Sequence, residues 1–406
     1  MLHPIKGYAR RKGMVTFLLA VIVGLLPSMV VAANGELTRL APTCKGGSSD
    51  ATFYGNNRRL AMSAGGRQLA VYDPHGSGVQ LSWKDAGTAD WSRQTQGEVS
   101  DGQLLGPDIG NDRPASIVVD AAGESAWVVW AGYNFNLISE VRMRRLTDLD
   151  APGGPAVGPE VTLRPAGMGS ARLDTVFAGG SVYLSWVERT ASTTYQLMVA
   201  RLSDDSATPT LTDVASLWSG SAKGATGTLV PTAQGLRLAA RTTKLRIYSH
   251  ASGASWTQGS GGATLNAQAR PAAIALDSGA ILVATQSDFK IGGIKVFRFT
   301  NSGAGAPAVE VLTGAGYAEP TLVHTGGENA LVVMVKDDDT LVSRARTDGT
   351  WSDIDTVELT AADSGNYEWP NALRHPTHGR LELLVSGAHC PTSTKQQEVL
   401  HLSRPL

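Results

Sequence analysis

The chain has 406 residues, of which 17% are charged, carries a net charge of -1 and contains 46 glycines. That balance gives no bulk attraction to nucleic acid or to anionic lipid, so partners held mainly by charge are excluded. Many glycines, few charges and no helical periodicity beyond a turn or two after residue 33 point to a turn-rich all-β protein.

The first stretch is basic over residues 6–12 (KGYARRK), apolar over 14–31, and ends on Ala32-Ala33. This is the layout of a signal peptide, with small residues where a signal peptidase reads. An uncleaved membrane anchor is the competing reading, because the run is long enough to span; Pro27 and the cleavage-like end favour removal. The expected organisation is a signal peptide over 1–33 and one domain over 34–406, secreted or periplasmic, with no membrane span after cleavage. The Arg10-Arg11 pair by itself does not define twin-arginine export.

Residues 113–163 then show the unit that the rest of the chain repeats. Strands are predicted at 115–120, 126–131, 139–146 and 160–163, separated by a glycine turn, an aromatic loop and a Pro/Gly-rich crossing. The core of this unit, an apolar strand, a Gly turn and a more apolar strand, recurs in RLAMSAGGRQLAVY, ARLDTVFAGGSVYLSWV, GTLVPTAQGLRLAA, RPAAIALDSGAILVAT, EPTLVHTGGENALVVMV and WPNALRHPTHGRLELLV. The turn glycines are Gly66, Gly123, Gly180, Gly235, Gly279, Gly327 and Gly379, a period of about fifty residues, which suits propeller blades. The second strands, such as 281–283 and 331–335, are continuous apolar runs, as expected of strands covered on both faces. The predicted fold is a seven-bladed β-propeller of four-stranded antiparallel blades.

Outer strands are expected at 98–99, 160–162, 213–214, 263–265, 310–311 and 358–360. The last unit lacks one, and its match, Glu36-Leu37-Thr38, lies at the start of the domain. The N-terminal strand is therefore expected to complete the last blade, removing two exposed strand edges. Cys44 follows that strand and Cys390 follows the second strand of the last unit, so both emerge on one face. In an exported chain these two cysteines are expected to form a disulfide, with two free thiols as the alternative.

In a meander blade, the start of the inner strand and the loop after the second strand share a face. Chain order gathers Arg59, Arg113, Arg172, Arg270, Glu319 and Trp369 at that mouth, with Asp112, Asp174, Tyr317, Tyr367 and Glu368 beside them. The loops after strand two add Asp73, His75, Tyr133, Phe135, Glu188, Arg189, Tyr195, Asp288, Phe289, Lys290 and His389. Converging guanidinium groups suit a carboxylate or sulfate, and aromatics such as Tyr133 and Trp369 suit sugar rings. The competing reading is that each arginine pairs with a neighbouring carboxylate and orders the blade connection. No metal or other cofactor is expected: the histidines lack ligand spacing, His375 and His378 flank a proline, and Asp337-Asp338-Asp339 read as an acidic turn. No G-x-S-x-G elbow, P-loop or paired-cysteine zinc pattern occurs.

The segments SHASGASW (249–256), RTDGTW (346–351) and DAGTADW (85–91) resemble the Asp-box of sialidase-like propellers. All three are degenerate: Ala251 or Ser252 stands where Asp is expected, and the 85–91 copy carries an inserted residue. The resemblance implies a turn shaped by Asp and Gly, with a Trp packed between strands away from the ligand face. Sialidases also need an arginine in a Phe/Tyr-Arg-Ile-Pro setting, two further arginines, and a tyrosine nucleophile with a glutamate partner. Here Arg59 lies in Asn-Arg-Arg-Leu-Ala, Arg113-Pro114 and Arg270-Pro271 match only the Arg and Pro elements, and Tyr317 with Glu319 is the nearest nucleophile and base. The sequence thus points to an exported, monomeric, non-catalytic module binding a glycan, acidic ones included, or a cell-surface protein. A sialidase-type glycoside hydrolase and a structural protein of the cell envelope are the alternatives.

Overall fold

The computed structural model describes residues 36–41, 58–72, 79–88, 90–92, 94–95, 98–99, 103–104, 115–131, 138–168, 170–203, 209–221, 225–251, 254–264, 271–286, 293–337, 340–357, 367–376, 378–387 and 398–406. All belong to the compact unit Gly35–Leu406. They form seven antiparallel sheets that follow one another as the blades of a β-propeller, with no helix among the described residues.

Blade 2 shows the plan. Its strands Ala115–Val119, Ala126–Ala131 and Ile138–Thr147 pair in order, and its outer strand comes in two pieces, Ala156–Val157 and Val161–Met168, both on the third strand. The inner strands of blades 1 and 3 to 7 are Leu60–Met62, Ser170–Ala178, Thr226–Thr232, Ala272–Ala275, Tyr317–Gly326 and Tyr367–Arg374. All seven turn glycines read from the sequence adopt positive φ, from 57° at Gly379 to 112° at Gly235, which side-chain-bearing residues rarely do. At Gly123 there is a second reason for glycine. An added Cβ would lie 2.4 Å from the backbone nitrogen of Ala64, whose N–H donates to the Gly123 carbonyl at 3.0 Å and ties the turns of blades 1 and 2 together.

The apolar second strands are explained by where alternate residues go. In Ile281–Gln286 of blade 5, Ile281 and Val283 enter the apolar cluster shared with blade 4, while Leu282 and Ala284 enter the one shared with blade 6. In Asn329–Lys336 of blade 6, Val332 and Met334 face blade 5, and Leu331, Val333 and Val335 face blade 7. A strand between two such seams has no water-facing row. Each fully buried Leu, Val or Met side chain contributes about 1.5 to 3 kcal/mol, so the core is a ring of seven seams.

The sequence places the outer strand of blade 1 at 98–99, and the structure corrects this. Gln103–Leu104 pairs with Gln80–Lys84, whereas Glu98–Val99 pairs with Gln94–Thr95 in a separate two-stranded hairpin. Two-residue strands carry no periodicity, so composition alone cannot tell which of them docks on a blade. The tryptophans of the three sialidase-like segments lie at seams. Trp91 is 1% exposed and meets His401 of blade 7 edge-on at 5.0 Å between ring centroids. Trp256 stacks on His250 at 5.0 Å, and Trp351 Nε1 donates to Glu310 of blade 5.

In the sheet of blade 7, Glu36–Ala41 pairs antiparallel with Glu398–Pro405, Glu36 opposite Ser403 and Ala41 opposite Val399. This sheet encloses a polar network. Glu382 accepts from Ser403 Oγ at 2.9 Å and lies 2.9 Å from His401 Nε2, all three being buried. Burial pushes the Glu382 carboxyl up, but His401, Ser403 and Lys84 of blade 1 together bring it below the usual carboxylate range. Cys44 and Cys390 lie outside the described residues.

Candidate functional site at the propeller axis

The inner strands of blades 3, 6 and 7 carry irregularities at matching places, between Ala171 and Asp174, Ala318 and Thr321, and Glu368 and Asn371. Within the first two, Arg172 (φ 59°) and Glu319 (φ 54°) adopt the left-handed region. Holding a side-chain-bearing residue there costs on the order of 1 kcal/mol or more, and such bulges re-aim side chains at the rims of β structures.

The residue that enters the axis is Arg58, two residues before the inner strand of blade 1. Its Nη1 donates to Asp174 Oδ1 and Oδ2 of blade 3, both at 3.0 Å, and to Thr175 O at 3.0 Å. Its Nη2 donates to Leu229 O of blade 4 at 2.8 Å, and the Leu229 N–H donates to Asp174 Oδ2 at 2.8 Å. One guanidinium therefore joins blade 1 to blades 3 and 4. The inner strands are further linked by Ser116 Oγ to Thr175 Oγ1 at 2.7 Å and by Thr228 Oγ1 donating to Pro271 O at 2.7 Å.

Asp174 has no exposed side-chain surface, whereas the Arg58 side chain is 33% exposed. Burial pushes the Asp174 carboxyl up from 3.8 to about 6; Arg58 and the hydrogen bonds act in the opposite direction and offset it only in part. Beside this pair lies a cavity of about 240 Å3, lined by Arg58 and by the inner strands of blades 4 to 7, including Thr228, Thr321, His324, Asn371 and Arg374. Its described lining carries hydrogen-bonding and cationic groups and no carboxylate.

Of the residues read from the sequence, Arg59 is fully buried, and its backbone N–H donates to Asn371 Oδ1 of blade 7 at 3.1 Å. Arg172 Nη1 donates to Ala225 O at 2.7 Å, joining blades 3 and 4. Tyr317 is half-buried and packs against the apolar seam of blades 5 and 6, two residues from Glu319 on the same strand. Glu188 pairs with Arg164 at 2.7 Å, Arg189 donates to the Ala191 and Ser192 carbonyls, and Tyr195 packs on the seam of blades 3 and 4. Tyr367, Glu368 and Trp369 lie on the inner strand of blade 7. Arg113, Arg270, Tyr133, Asp112, Asp73, His75, Phe135, Asp288, Phe289, Lys290 and His389 lie outside the described residues. No group of three or more His, Cys, Asp or Glu that could hold a metal ion occurs among the described residues.

Arg58 escaped the sequence reading because the tandem Arg58-Arg59 can be aligned in two registers, and a one-residue slip exchanges the faces of a strand.

No family model matches the sequence, and no curated protein does. Solved structures of low similarity do. A fungal lectin from Aleuria aurantia, described as a six-bladed β-propeller with a novel fucose recognition mode, has 14% identity and a TM-score of 0.46, covering 78% of this chain and 100% of its own. The K499G mutant of the NanB sialidase from Streptococcus pneumoniae has 14% identity and a TM-score of 0.46, covering 89% of this chain and 69% of its own. A prolyl endopeptidase has 12% identity and a TM-score of 0.44; the match covers 81% of this chain but only 46% of the endopeptidase. The Aleuria lectin is described as six-bladed, whereas this chain has seven blades.

Proposed function

We propose that this chain is an exported propeller that binds an acidic glycan in its axial cavity without cleaving it. The observation that supports this reading is the axial cavity: Arg58, Arg374 and neutral hydrogen-bonding groups stand among its apolar lining, and among the described residues no carboxylate lines it to protonate or attack a glycosidic bond. A glycan array should detect sialylated or sulfated glycans while a fluorogenic sialoside is left intact. An empty array beside turnover of the sialoside would overturn the proposal and favour hydrolysis through Tyr317 and Glu319.

The Arg58–Asp174 pair gives a second reading specific support, that of a structural propeller whose mouth charges are mutually satisfied. The arginines at the starts of the inner strands of blades 2 and 5 separate the two. An arginine that waits for an anion faces only like charges, so Arg113→Ala and Arg270→Ala are expected to leave thermal unfolding nearly unchanged and to weaken acidic-glycan binding in a salt-dependent way. Loss of about 3 to 5 kcal/mol of stability in both variants, the cost of stranding a buried carboxylate, would establish the structural role instead.

A further inference from the structure

At the side of the ring where the turn glycines lie, blades 2 and 3 enclose a cavity of about 210 Å3. It is built by directly paired strand residues. Trp127 stands opposite Arg145 in blade 2, and Phe177 stands opposite Val182 in blade 3. The Trp127 and Phe177 rings stack across the seam, 6.0 Å apart and inclined by 18°, and the Arg145 guanidinium carbon lies 5.4 Å from the centre of the Trp127 ring. Both rings are half-buried against the apolar cluster of this seam, so the cavity is an apolar cleft with one cation in its wall.

The state of that cation indicates what fits. Arg67, Arg142, Arg164, Arg201 and Arg298 each pair with a carboxylate. Arg145 has no carboxylate partner among the described residues: its Nη2 donates to Ser125 Oγ at 3.0 Å, and its Nε, although buried, makes no hydrogen bond. A half-buried guanidinium supported only by an indole face and a neutral hydroxyl retains the capacity to bind an anion through its fork. The cavity is smaller than the ~300 to 1,000 Å3 that accommodates drug-sized ligands, which limits the occupant to about one ring. The Ser181 and Ser203 hydroxyls on its lining, the latter accepting from the Thr210 N–H at 2.9 Å, offer a polyhydroxylated ring hydrogen-bonding groups that a purely aromatic or aliphatic acid would not use.

We infer that the seam of blades 2 and 3 is a binding site for a carboxylated pyranose, its carboxylate on Arg145 and its C–H face against Phe177 and Trp127. The inference is independent of the axial cavity, which lies among blades 1 and 4 to 7. The test is titration of the purified full chain with methyl β-D-glucuronide by calorimetry and saturation-transfer NMR, with methyl β-D-glucoside and benzoate as comparison ligands. The glucuronide should bind with saturation of its ring protons, the neutral glucoside and benzoate at least tenfold more weakly. Arg145→Gln should weaken glucuronide binding at least tenfold and Arg145→Lys by less, since lysine keeps the charge and loses the fork. Should Arg145→Gln fail to fold, Ser203→Phe, which fills the cavity and keeps the cation, should abolish binding. Absence of glucuronide binding at tens of millimolar, binding indifferent to these substitutions, or benzoate binding as tightly as the glucuronide would overturn the assignment. An empty glycan array would bear on the axial site alone.

Discussion

Asp174→Asn is expected to flatten the pH dependence of stability between about pH 4 and 6, and to make binding of an acidic glycan independent of pH over the same range. The sign follows from burial. The carboxyl titrates at about 6 in the folded chain against 3.8 as its ordinary value, so between these limits the native state holds a proton that the unfolded state has released. Stability from this group is therefore complete below about pH 4 and is lost as pH rises through 6, a displacement worth about 3 kcal/mol. Glu382, held below the usual range, acts with the opposite sign and loses its contribution on acidification. The difference between wild type and variant cancels it, so urea unfolding of both from pH 4 to 7.5 isolates Asp174. A difference that stays constant across that range would remove the argument.

Binding follows the same titration. While Asp174 is ionised it neutralises Arg58, whose side chain is one-third exposed at the axial cavity; once protonated, it leaves that guanidinium with an uncompensated charge. Wild type should then bind a sulfated oligosaccharide about tenfold more tightly at pH 5 than at 7.5, roughly the contribution of one charge-assisted hydrogen bond. Asp174→Asn should bind at pH 7.5 as wild type does at pH 5. Equal affinity of wild type at the two pH values would mean that Arg58 serves the blades and not a ligand.

Deleting residues 36–41 is expected to have the largest effect on stability. The pairing of Glu36–Ala41 with Glu398–Pro405 supplies the outer strand of blade 7, and we propose that it closes the ring. Without it, a strand eight residues long would offer a free edge, so both early unfolding in urea and self-association by light scattering should appear. A variant with wild-type unfolding would show that the ring does not depend on this strand. The register also brings the cysteine pairing into reach. Val399 lies between Ala41 and Ser386, so Glu36–Ala41 and Arg380–Gly387 run parallel, two strand spacings or about 10 Å apart, and leave the sheet at the same end. Cys44 and Cys390 each follow three residues later. We propose that they are bridged, closing a loop of about 350 residues and contributing about 6 kcal/mol in the chain-entropy picture. Cys44→Ser should lower the unfolding midpoint under oxidising conditions, with no further change on adding reductant. Two free thiols in the exported protein by mass spectrometry would refute the bridge.

The repeat was legible in the sequence because each of its signals is local. Gly66, Gly123 and their five counterparts sit where the chain must take positive φ, and that requirement belongs to the two-strand turn itself. The unbroken apolar runs around Leu282 and Val332 report that both strand faces are covered, a property shared by every blade with two neighbours. From these the number of blades and the order of their strands follow without any long-range contact being known. Two-residue strands contain neither signal, and the position of the outer strand of blade 1 was misread for that reason.

The axial site depends on geometry that no local signal encodes. Arg58 and Asp174 are 116 residues apart and meet because the ring returns blades 3 and 4 to face blade 1 across the axis. The choice of Arg58 over Arg59 as the residue that enters it turns on a single step of register. The bulges that set Arg172 and Glu319 at positive φ arise where inner strands bend at the rim, in residues with no propensity for that conformation. Local sequence therefore determined the blade, its turns and its covered faces, because those are nearest-neighbour properties. Only the tertiary structure decided which charges meet at the axis and which cation between blades 2 and 3 has no carboxylate partner among the described residues, because those pairings depend on the curvature of the whole ring.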